Sequence, residues 1–403
     1  QDMKVVNQII IKDANLKNLY NLIHSNDGIS RAQLAKLTNL SKTTVSTLID
    51  ELTSRNFVYD SGTSETDSVG RKPNSLHIKP NSYYVVNIVW INNTIDVFLM
   101  DIAGKTVYGE HMELKGCDTY VTLSQRCVYN SILSKVEKDK ILGICVVVSA
   151  MIDPPQNVFY STTLNISEAE QANLIHDLDT AFCDFPVALL NDTACYAYAE
   201  KIYAGVKESD FAFINFSHGI GATLFIDNEM MGHASGASTQ FGHYSINPKG
   251  KLCVCGNRGC LEATMGEPAL KERVDKTGYS IFLNHLETVT FADLGNAAKQ
   301  GDVVAQTVIK SMAQDLSYAL SNLISIVDPK LIILGGESRK LGDLFLSEIK
   351  LNLKSIGFRR MVENVNVSYS KLDQDVYKLG ATKYFFDKYY KFGEDISGTL
   401  FMG

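Results

Sequence analysis

Residues 242–262 read GHYSINPKGKLCVCGNRGCLE and contain three of the eight cysteines of the chain, shortly after a histidine. His243 offers one imidazole, and Cys253, Cys255 and Cys260 offer three thiolates, a closed tetrahedral ligand set typical of structural zinc. The alternatives are a cluster of reduced thiols or a disulfide, and neither explains the nearby histidine. We therefore expect one structural Zn²⁺ per chain at this loop.

Length and composition restrict the class of protein. The chain has 403 residues, of which 45% are hydrophobic and 21% charged, as in ordinary globular proteins. A chain of this length is usually too long to fold around one hydrophobic core, so we expect two or three domains. No run of about 18 apolar residues and no secretory signal is visible, so we expect a cytoplasmic protein without a membrane partner.

The charge is unevenly distributed. The net charge is −7, yet residues 1–80 contain slightly more Lys and Arg than Asp and Glu. An acidic body with a mildly basic head indicates two functions in one chain. We accordingly expect residues 1–80 and 81–403 to be separate domains.

The head has the pattern of a winged helix-turn-helix. Ser30 and Ser41 are placed to cap two short amphipathic helices, with a tight turn at Asn39 and Leu40 between them. Strand-like residues 57–59 and 75–78 enclose a polar wing. The whole of residues 1–80 is therefore predicted to bind double-stranded DNA.

Short hydroxyl side chains and a lysine on the second helix suit base edges and phosphates in a major groove. The Gly-Arg-Lys-Pro arm that begins at Gly70 suits a minor groove. The alternatives are a solvated helical hairpin and an interdomain linker. The predicted DNA-binding residues are Arg31, Ser41, Lys42, Thr43, Thr44, Ser46, Thr47, Gly70, Arg71 and Lys72.

From residue 81 onward, strand hairpins alternate with strand-helix units, which predicts an α/β body of two related lobes. The N-terminal helix-turn-helix, the Asn191-Asp192 pair, QFGH at 240–243, CVCGNRGC at 253–260 and IVDPKLIILGG at 326–336 together resemble the ROK family (repressors, open reading frames and sugar kinases). The resemblance covers essentially the full chain. It implies an actin-like, ribonuclease-H-like fold with a sugar bound between the lobes, and the head places the chain in the repressor branch.

The resemblance also implies sugar-binding residues. They are Asn191, Asp192, Gln240, His243 and Glu262. His243 is implied to hold zinc through one ring nitrogen and a sugar hydroxyl through the other. On sequence alone, Asn191-Asp192 can instead be a helix cap, and Glu262 an exposed carboxylate at a helix start.

Two positions depart from the family pattern. Gln240 stands where the family usually has Glu, so a charge is lost although hydrogen bonding is kept. Ser149-Ala150 replaces the usual Pro-Gly. Because of these changes, the family pattern does not identify the sugar that this chain binds.

The kinases of the ROK family begin with an Asp-x-Gly-Gly-Thr turn whose backbone approaches the phosphates of ATP. In this chain Val89, Ile91, Asn92 and Asn93 occupy those places, so the acidic residue for Mg²⁺ and the glycines are gone. Asp192, which matches the general base of the kinases, is kept. We expect no catalytic residues.

The expected function is a repressor that responds to a sugar or sugar phosphate. As a homodimer or a dimer of dimers it would bind a palindromic operator. The alternatives are a sugar kinase with a DNA-binding head, and a regulator controlled by a protein partner.

Overall fold

The computed structural model describes residues 8–62, 75–153, 156–217, 219–232 and 239–402. In this part of the chain no helix is long and apolar enough to cross a membrane. The chain divides into two compact units. The first contains residues 1–146, 176–188 and 382–401, and the second contains residues 147–175, 189–381 and 402–403.

The described residues of the head form three helices and a short antiparallel ribbon. Their bounds are α1 (Gln8–Ser25), α2 (Arg31–Thr38), α3 (Lys42–Ser54), β1 (Val58–Asp60) and β2 (Leu76–Ile78).

Both predicted helix caps of the head are present. The Ser30 side chain accepts from the backbone N–H of Gln33, whose side chain in turn accepts from the Ser30 backbone, and Ser41 caps α3 through the N–H of Thr44. Asn39 adopts the left-handed conformation, with φ of 56°, that ends α2. The two helices and the tight turn between them agree with the sequence prediction.

The remaining elements alternate as predicted. In chain order they are β3 (Tyr84–Ile91), β4 (Thr94–Asp101), β5 (Thr106–Glu113), α4 (Tyr120–Cys127), β6 (Ile141–Val148), β7 (Met151–Asp153), β8 (Val158–Tyr160), α5 (Glu168–Ala181), β9 (Val187–Asn191), α6 (Asp192–Tyr203), β10 (Phe211–Phe216), β11 (Ile220–Ile226), β12 (Glu229–Met230), α7 (Leu261–Met265), α8 (Glu267–Thr277), α9 (Phe291–Lys299), α10 (Val303–Val327), β13 (Leu331–Gly336), α11 (Gly342–Leu353), α12 (Arg359–Val362), β14 (Asn366–Tyr369), α13 (Tyr377–Lys388) and β15 (Leu400–Met402).

Two larger sheets organise these elements. One has six strands in the order β15-β9-β6-β3-β4-β5 and belongs mainly to the first unit. The other lies in the second unit and has five strands in the order β12-β11-β10-β13-β14, with β10, β13 and β14 parallel. The central strands β6 and β13 are buried over nearly their whole length, as their unbroken apolar sequences require.

Within the first unit the head packs against the end of α13 and the segment that follows it. Tyr20 and Phe57 of the head form ring contacts with Phe386, at centroid distances of 4.3 Å and 6.5 Å. The Lys383 ammonium donates to the side-chain oxygen of Asn21 at 2.9 Å and to Asp387 at 2.5 Å. The side chains of Lys383 and Asp387 are only 6% and 12% exposed, so this junction is a buried polar contact.

Candidate functional site

The five residues that the family resemblance assigned to sugar binding line one pocket of about 320 Å³ in the second unit. Asn191 and Asp192 stand where β9 ends and α6 begins, and Gln240 and His243 come from a short 3₁₀ turn. Glu262 lies in the first turn of α7. Residues far apart in the sequence are thus brought to a single polar pocket.

The start of α6 explains the role of Asn191. Its side-chain oxygen accepts from the N–H of Ala194 at 3.2 Å, and its amide nitrogen donates to the carbonyl of Ala150 at 2.9 Å. Asn191 is therefore the helix cap that the sequence allowed, and it also holds the loop at Ser149-Ala150. β9 ends at Asn191 and α6 begins at Asp192, so no loop separates them.

Glu262 is half-buried and is not the exposed carboxylate that was the alternative. Its Oε2 accepts from the backbone N–H of Ile220 at 3.0 Å. A Cβ at Gly219 would lie only 2.2 Å from that oxygen, so glycine is needed there for the carboxylate to approach the backbone. The β10–β11 turn and α7 are joined by this contact.

The predicted zinc ligands converge. The ligand atoms of His243, Cys253, Cys255 and Cys260 all lie within 4.8 Å of one another. Cys253 Sγ is 3.6 Å from His243 Nδ1, and Cys255 Sγ is 3.6 Å from Cys260 Sγ. Zinc–sulfur bonds of about 2.3 Å at tetrahedral angles require sulfur–sulfur distances of about 3.8 Å, so the cluster fits zinc.

The orientation of His243 agrees with two roles. Nδ1 faces the thiol of Cys253, and the residue also lines the pocket. Burial raises the pKa of the Cys260 thiol to about 12. A metal ion that binds here must displace that proton, which makes its affinity fall as the pH falls.

Several pocket residues were missed by the sequence analysis. They are Met151, Tyr160, Thr162, Thr163 and Thr239. The small β7–β8 hairpin supplies Met151 and Tyr160. Ser161 and Thr163 both donate to the Ser149 carbonyl, at 2.8 Å and 3.1 Å, and so shape this wall. No local pattern marks Met151 and Tyr160, because their position depends on pairing between β7 and β8.

The proposed DNA-reading face of α3 is solvent-accessible. Ser41, Lys42, Thr43, Thr44 and Thr47 are exposed, and Ser46 is half-buried. Ser46 differs from the others because its carbonyl accepts from Arg31 at 3.3 Å.

Arg31 also forms an ion pair with Asp50 at 2.8 Å. Its guanidinium thus connects α2 to α3, and part of its hydrogen-bonding capacity is used inside the head. Gly70, Arg71 and Lys72 lie outside the described residues.

The turn between β3 and β4, which was predicted to take the place of the kinase phosphate turn, is closed by a tyrosine. The Tyr120 hydroxyl accepts from the Asn93 N–H at 2.7 Å and donates to the Ile91 carbonyl at 2.8 Å. Asn93 has φ of 60°, in the left-handed region. One backbone donor of this turn is therefore already used within the protein.

Comparison with known proteins agrees with these features. The family model described as the ROK family matches residues 92–387, and the model of a winged helix-turn-helix DNA-binding domain matches residues 12–59. A xylose repressor from Caldicellulosiruptor bescii is 27% identical over 93% of this chain and 96% of its own length.

Two solved structures share the fold. A ROK family transcriptional regulator, a homologue of the Escherichia coli MLC protein, superposes with a TM-score of 0.78 and 21% identity, over 94% of this chain and 97% of its own. A ROK family glucokinase from Streptomyces griseus, crystallised with glucose and AMPPNP, superposes with a TM-score of 0.61 and 20% identity, over 74% of this chain and 98% of its own. The body therefore has the actin-like fold of ROK sugar kinases, preceded by a winged helix-turn-helix.

Proposed function

The chain belongs to the ROK family, and from this membership we propose that it is a sugar-responsive transcriptional repressor. The head would bind operator DNA, and the pocket of the second unit would bind the effector. The observation that carries the proposal is the joint occurrence of a DNA-binding head and a pocket lined by Asn191, Asp192, Gln240, His243 and Glu262. Carboxylates and amides in such a set suit adjacent sugar hydroxyls.

The charge of the pocket favours an unphosphorylated sugar. Asp192 and Glu262 are its acidic lining residues, and no Lys or Arg is among the described residues that line it. The sequence contains no Lys or Arg from 208 to 248. Zinc with three thiolates and one neutral imidazole adds a net charge of −1 beside it. A phosphate group would therefore meet only repulsion from these charges.

We propose that zinc has a structural role for this pocket. Bound through Nδ1 of His243, the ion would fix the ring so that Nε2 faces the effector. Cys255 supports this arrangement because it belongs to the metal cluster and also lines the pocket. The metal would supply ring orientation and no Lewis-acid step.

Kinase activity is not proposed. Phosphoryl transfer depends on backbone donors and a metal ion that stabilise phosphate charge. Here Tyr120 closes the β3–β4 turn, and the Glu262 carboxylate accepts from the N–H of Ile220 at the β10–β11 turn. Both observations argue against a nucleotide at these turns.

The decisive experiment measures DNA release. The full chain is used to select its operator from a random DNA pool, and we expect a palindromic sequence that a homodimer or a dimer of dimers can bind. Neutral sugars and their phosphates are then tested for release of that operator. Release by a neutral sugar supports the proposal. Release by no sugar would favour a regulator controlled by a protein partner.

A further inference from the structure

The sugar pocket, the cavity of about 320 Å³ in the second unit, has apolar as well as polar lining residues. Its carboxylates and amides come from the junction of β9 and α6, from the 3₁₀ turn and from α7. The β7–β8 hairpin contributes Met151 and Tyr160, and β11 contributes Ile220 and Ala222. A sugar ring has the same two characters, since hydroxyls surround its rim and C–H groups cover its faces. The apolar lining residues are therefore suited to one face of a bound sugar.

The alternation of side chains along the hairpin turns Tyr160 toward the pocket. Ile152 pairs with Phe159, and Met151 pairs with Tyr160. Ile152 and Phe159 are buried, so the pair of Met151 and Tyr160 lies on the opposite face of the hairpin. Tyr160 is 45% exposed although it lines the pocket. Its aromatic side chain therefore remains accessible to a ligand.

The backbone that carries Tyr160 is held from two directions. The next residue, Ser161, is 4% exposed and donates its hydroxyl to the Ser149 carbonyl at 2.8 Å. The N–H of Ser161 donates to the side-chain oxygen of Gln171 on α5 at 3.0 Å. Less of this loop therefore has to be ordered when a ligand binds against Tyr160.

The hairpin is also connected to the polar part of the pocket. The amide nitrogen of Asn191 donates to the carbonyl of Ala150, the residue that directly precedes β7. Asn191 and the adjacent Asp192 line the pocket. This hydrogen bond fixes the distance between the start of the hairpin and the residues suited to hydroxyls. A sugar whose hydroxyls bind Asn191 and Asp192 would therefore always present the same face to Tyr160.

We propose that Tyr160 is a specificity-determining residue whose ring packs against a C–H face of the sugar, and that the effector is an aldopyranose with all ring hydroxyls equatorial. This inference rests on the proposed function, because it concerns the sugar of the same pocket. In such a sugar the axial positions carry only hydrogen, so both faces of the ring are apolar. An axial hydroxyl on the covered face would lose its water against the aromatic ring without gaining an equivalent hydrogen bond, which weakens binding.

Calorimetric titration of the full zinc-loaded chain tests the proposal with sugars that differ at one carbon. D-Xylose and D-glucose are the probes, because their β-pyranoses carry every ring hydroxyl in an equatorial position. The epimers of D-xylose are D-lyxose, D-ribose and L-arabinose, and those of D-glucose are D-mannose, D-allose and D-galactose. We expect saturable binding of D-xylose or D-glucose, tighter than that of each of its epimers and at least tenfold tighter than that of one of them.

Three variants locate the effect. Tyr160→Ala should weaken binding of the preferred sugar at least tenfold and reduce its preference over the epimers severalfold, because an axial hydroxyl can then keep its water. Tyr160→Trp keeps an aromatic face, so its affinity should stay within about threefold of the parent. Its fluorescence should change on binding, since the single tryptophan of the chain, Trp90, is 3% exposed. The control Tyr279→Ala removes a ring that is 79% exposed and does not line the pocket, and should leave binding unchanged.

The assignment is overturned if neither D-xylose nor D-glucose binds, if an epimer binds more tightly than both, or if Tyr160→Ala leaves affinity unchanged. An equal loss for the preferred sugar and its epimers in Tyr160→Ala would make this ring structural and would also overturn it. Operator release, measured on the same samples, separates this inference from the proposed function. A sugar that binds against Tyr160 without releasing the operator contradicts the proposed function alone. Release by a sugar whose affinity Tyr160→Ala does not alter contradicts this inference alone.

Discussion

The Glu262 carboxylate accepts a hydrogen bond from the backbone N–H of Ile220 across 3.0 Å. Two glycines make this approach possible. A Cβ at Gly219 would meet the carboxylate oxygen at 2.2 Å, and a Cβ at Gly242 would meet the Ile220 carbonyl oxygen at 2.0 Å. One carboxylate oxygen is therefore fixed by the backbone while the residue lines the sugar pocket.

Replacement of Glu262 by Gln removes the negative charge of this side chain but keeps an oxygen acceptor at the same place. The amide oxygen can still accept from Ile220, so we expect the free energy of unfolding to change by less than about 1 kcal/mol. Sugar affinity should fall about tenfold or more, since a hydrogen bond to a charged acceptor is lost. Calorimetry with the sugar that releases the operator measures this effect.

The control is Glu363→Gln, which changes an exposed carboxylate that is ion-paired with Arg359. It should leave sugar affinity unchanged. Parental affinity in the Glu262→Gln variant would show that this carboxylate is only structural.

Zinc removal should act on the sugar pocket as well as on the loop. Cys255→Ser leaves an incomplete ligand set, so we expect purified protein to lose its zinc and its response to sugar together. Metal analysis by mass spectrometry and operator release give the two results. The control Cys117→Ser changes an exposed cysteine outside the cluster and should retain both. Parent protein that contains no zinc would contradict the metal assignment.

Local patterns predicted much of the head and the metal centre. Ser30 with Gln33, and Ser41 with Thr44, form caps within three residues, and such caps are readable from sequence. The spacing of the three cysteines likewise indicates one metal ion. The ligand atoms converge as that spacing requires.

Long-range contacts were not predictable in the same way. The bond between Glu262 and Ile220 joins residues 42 positions apart, and the pairing of Arg31 with Asp50 depends on how α2 crosses α3. The wall formed by Tyr160 depends on the β7–β8 register. Each of these features requires tertiary packing that no periodicity encodes.

Phosphoryl transfer should be absent. We expect no ATP-dependent phosphorylation of hexoses or pentoses, because Tyr120 closes the β3–β4 turn, which the family resemblance matches to the phosphate turn of the kinases. A coupled assay of ADP release measures this. Turnover that disappears in Asp192→Asn would contradict the prediction, because it would show catalysis from the pocket itself.

The buried junction between the head and α13 should depend on paired charges. Lys383→Met removes the ammonium that donates to the largely buried Asp387 carboxylate, whose contact with the Asn21 amide at 2.9 Å remains, and we expect a cost of about 3 kcal/mol in the free energy of unfolding. The double variant Lys383→Met/Asp387→Leu should recover at least half of this loss, since no uncompensated charge remains. Urea unfolding of the full chain compares the variants. Equal losses in the single and double variants would mean that packing, and not charge pairing, holds the junction.

DNA binding should divide between the helix and the arm. Lys42 is exposed at the first residue of α3, where we expect it to meet phosphate. Lys42→Gln should therefore weaken binding to all operator variants alike and reduce the salt slope by about 0.9 for each bound head. Arg71 is expected in a narrow A·T-rich minor groove. Arg71→Ala should therefore weaken operator binding by about 1–3 kcal/mol and lower the preference for A·T pairs beside the half-site.

Arg31→Gln should weaken operator binding less than Arg71→Ala does, because Arg31 is partly engaged by Asp50. Titration of operator variants at several salt concentrations distinguishes the three. If Arg71→Ala binds the operator as tightly as the parent, the arm is a linker and the head reads DNA through α3 alone.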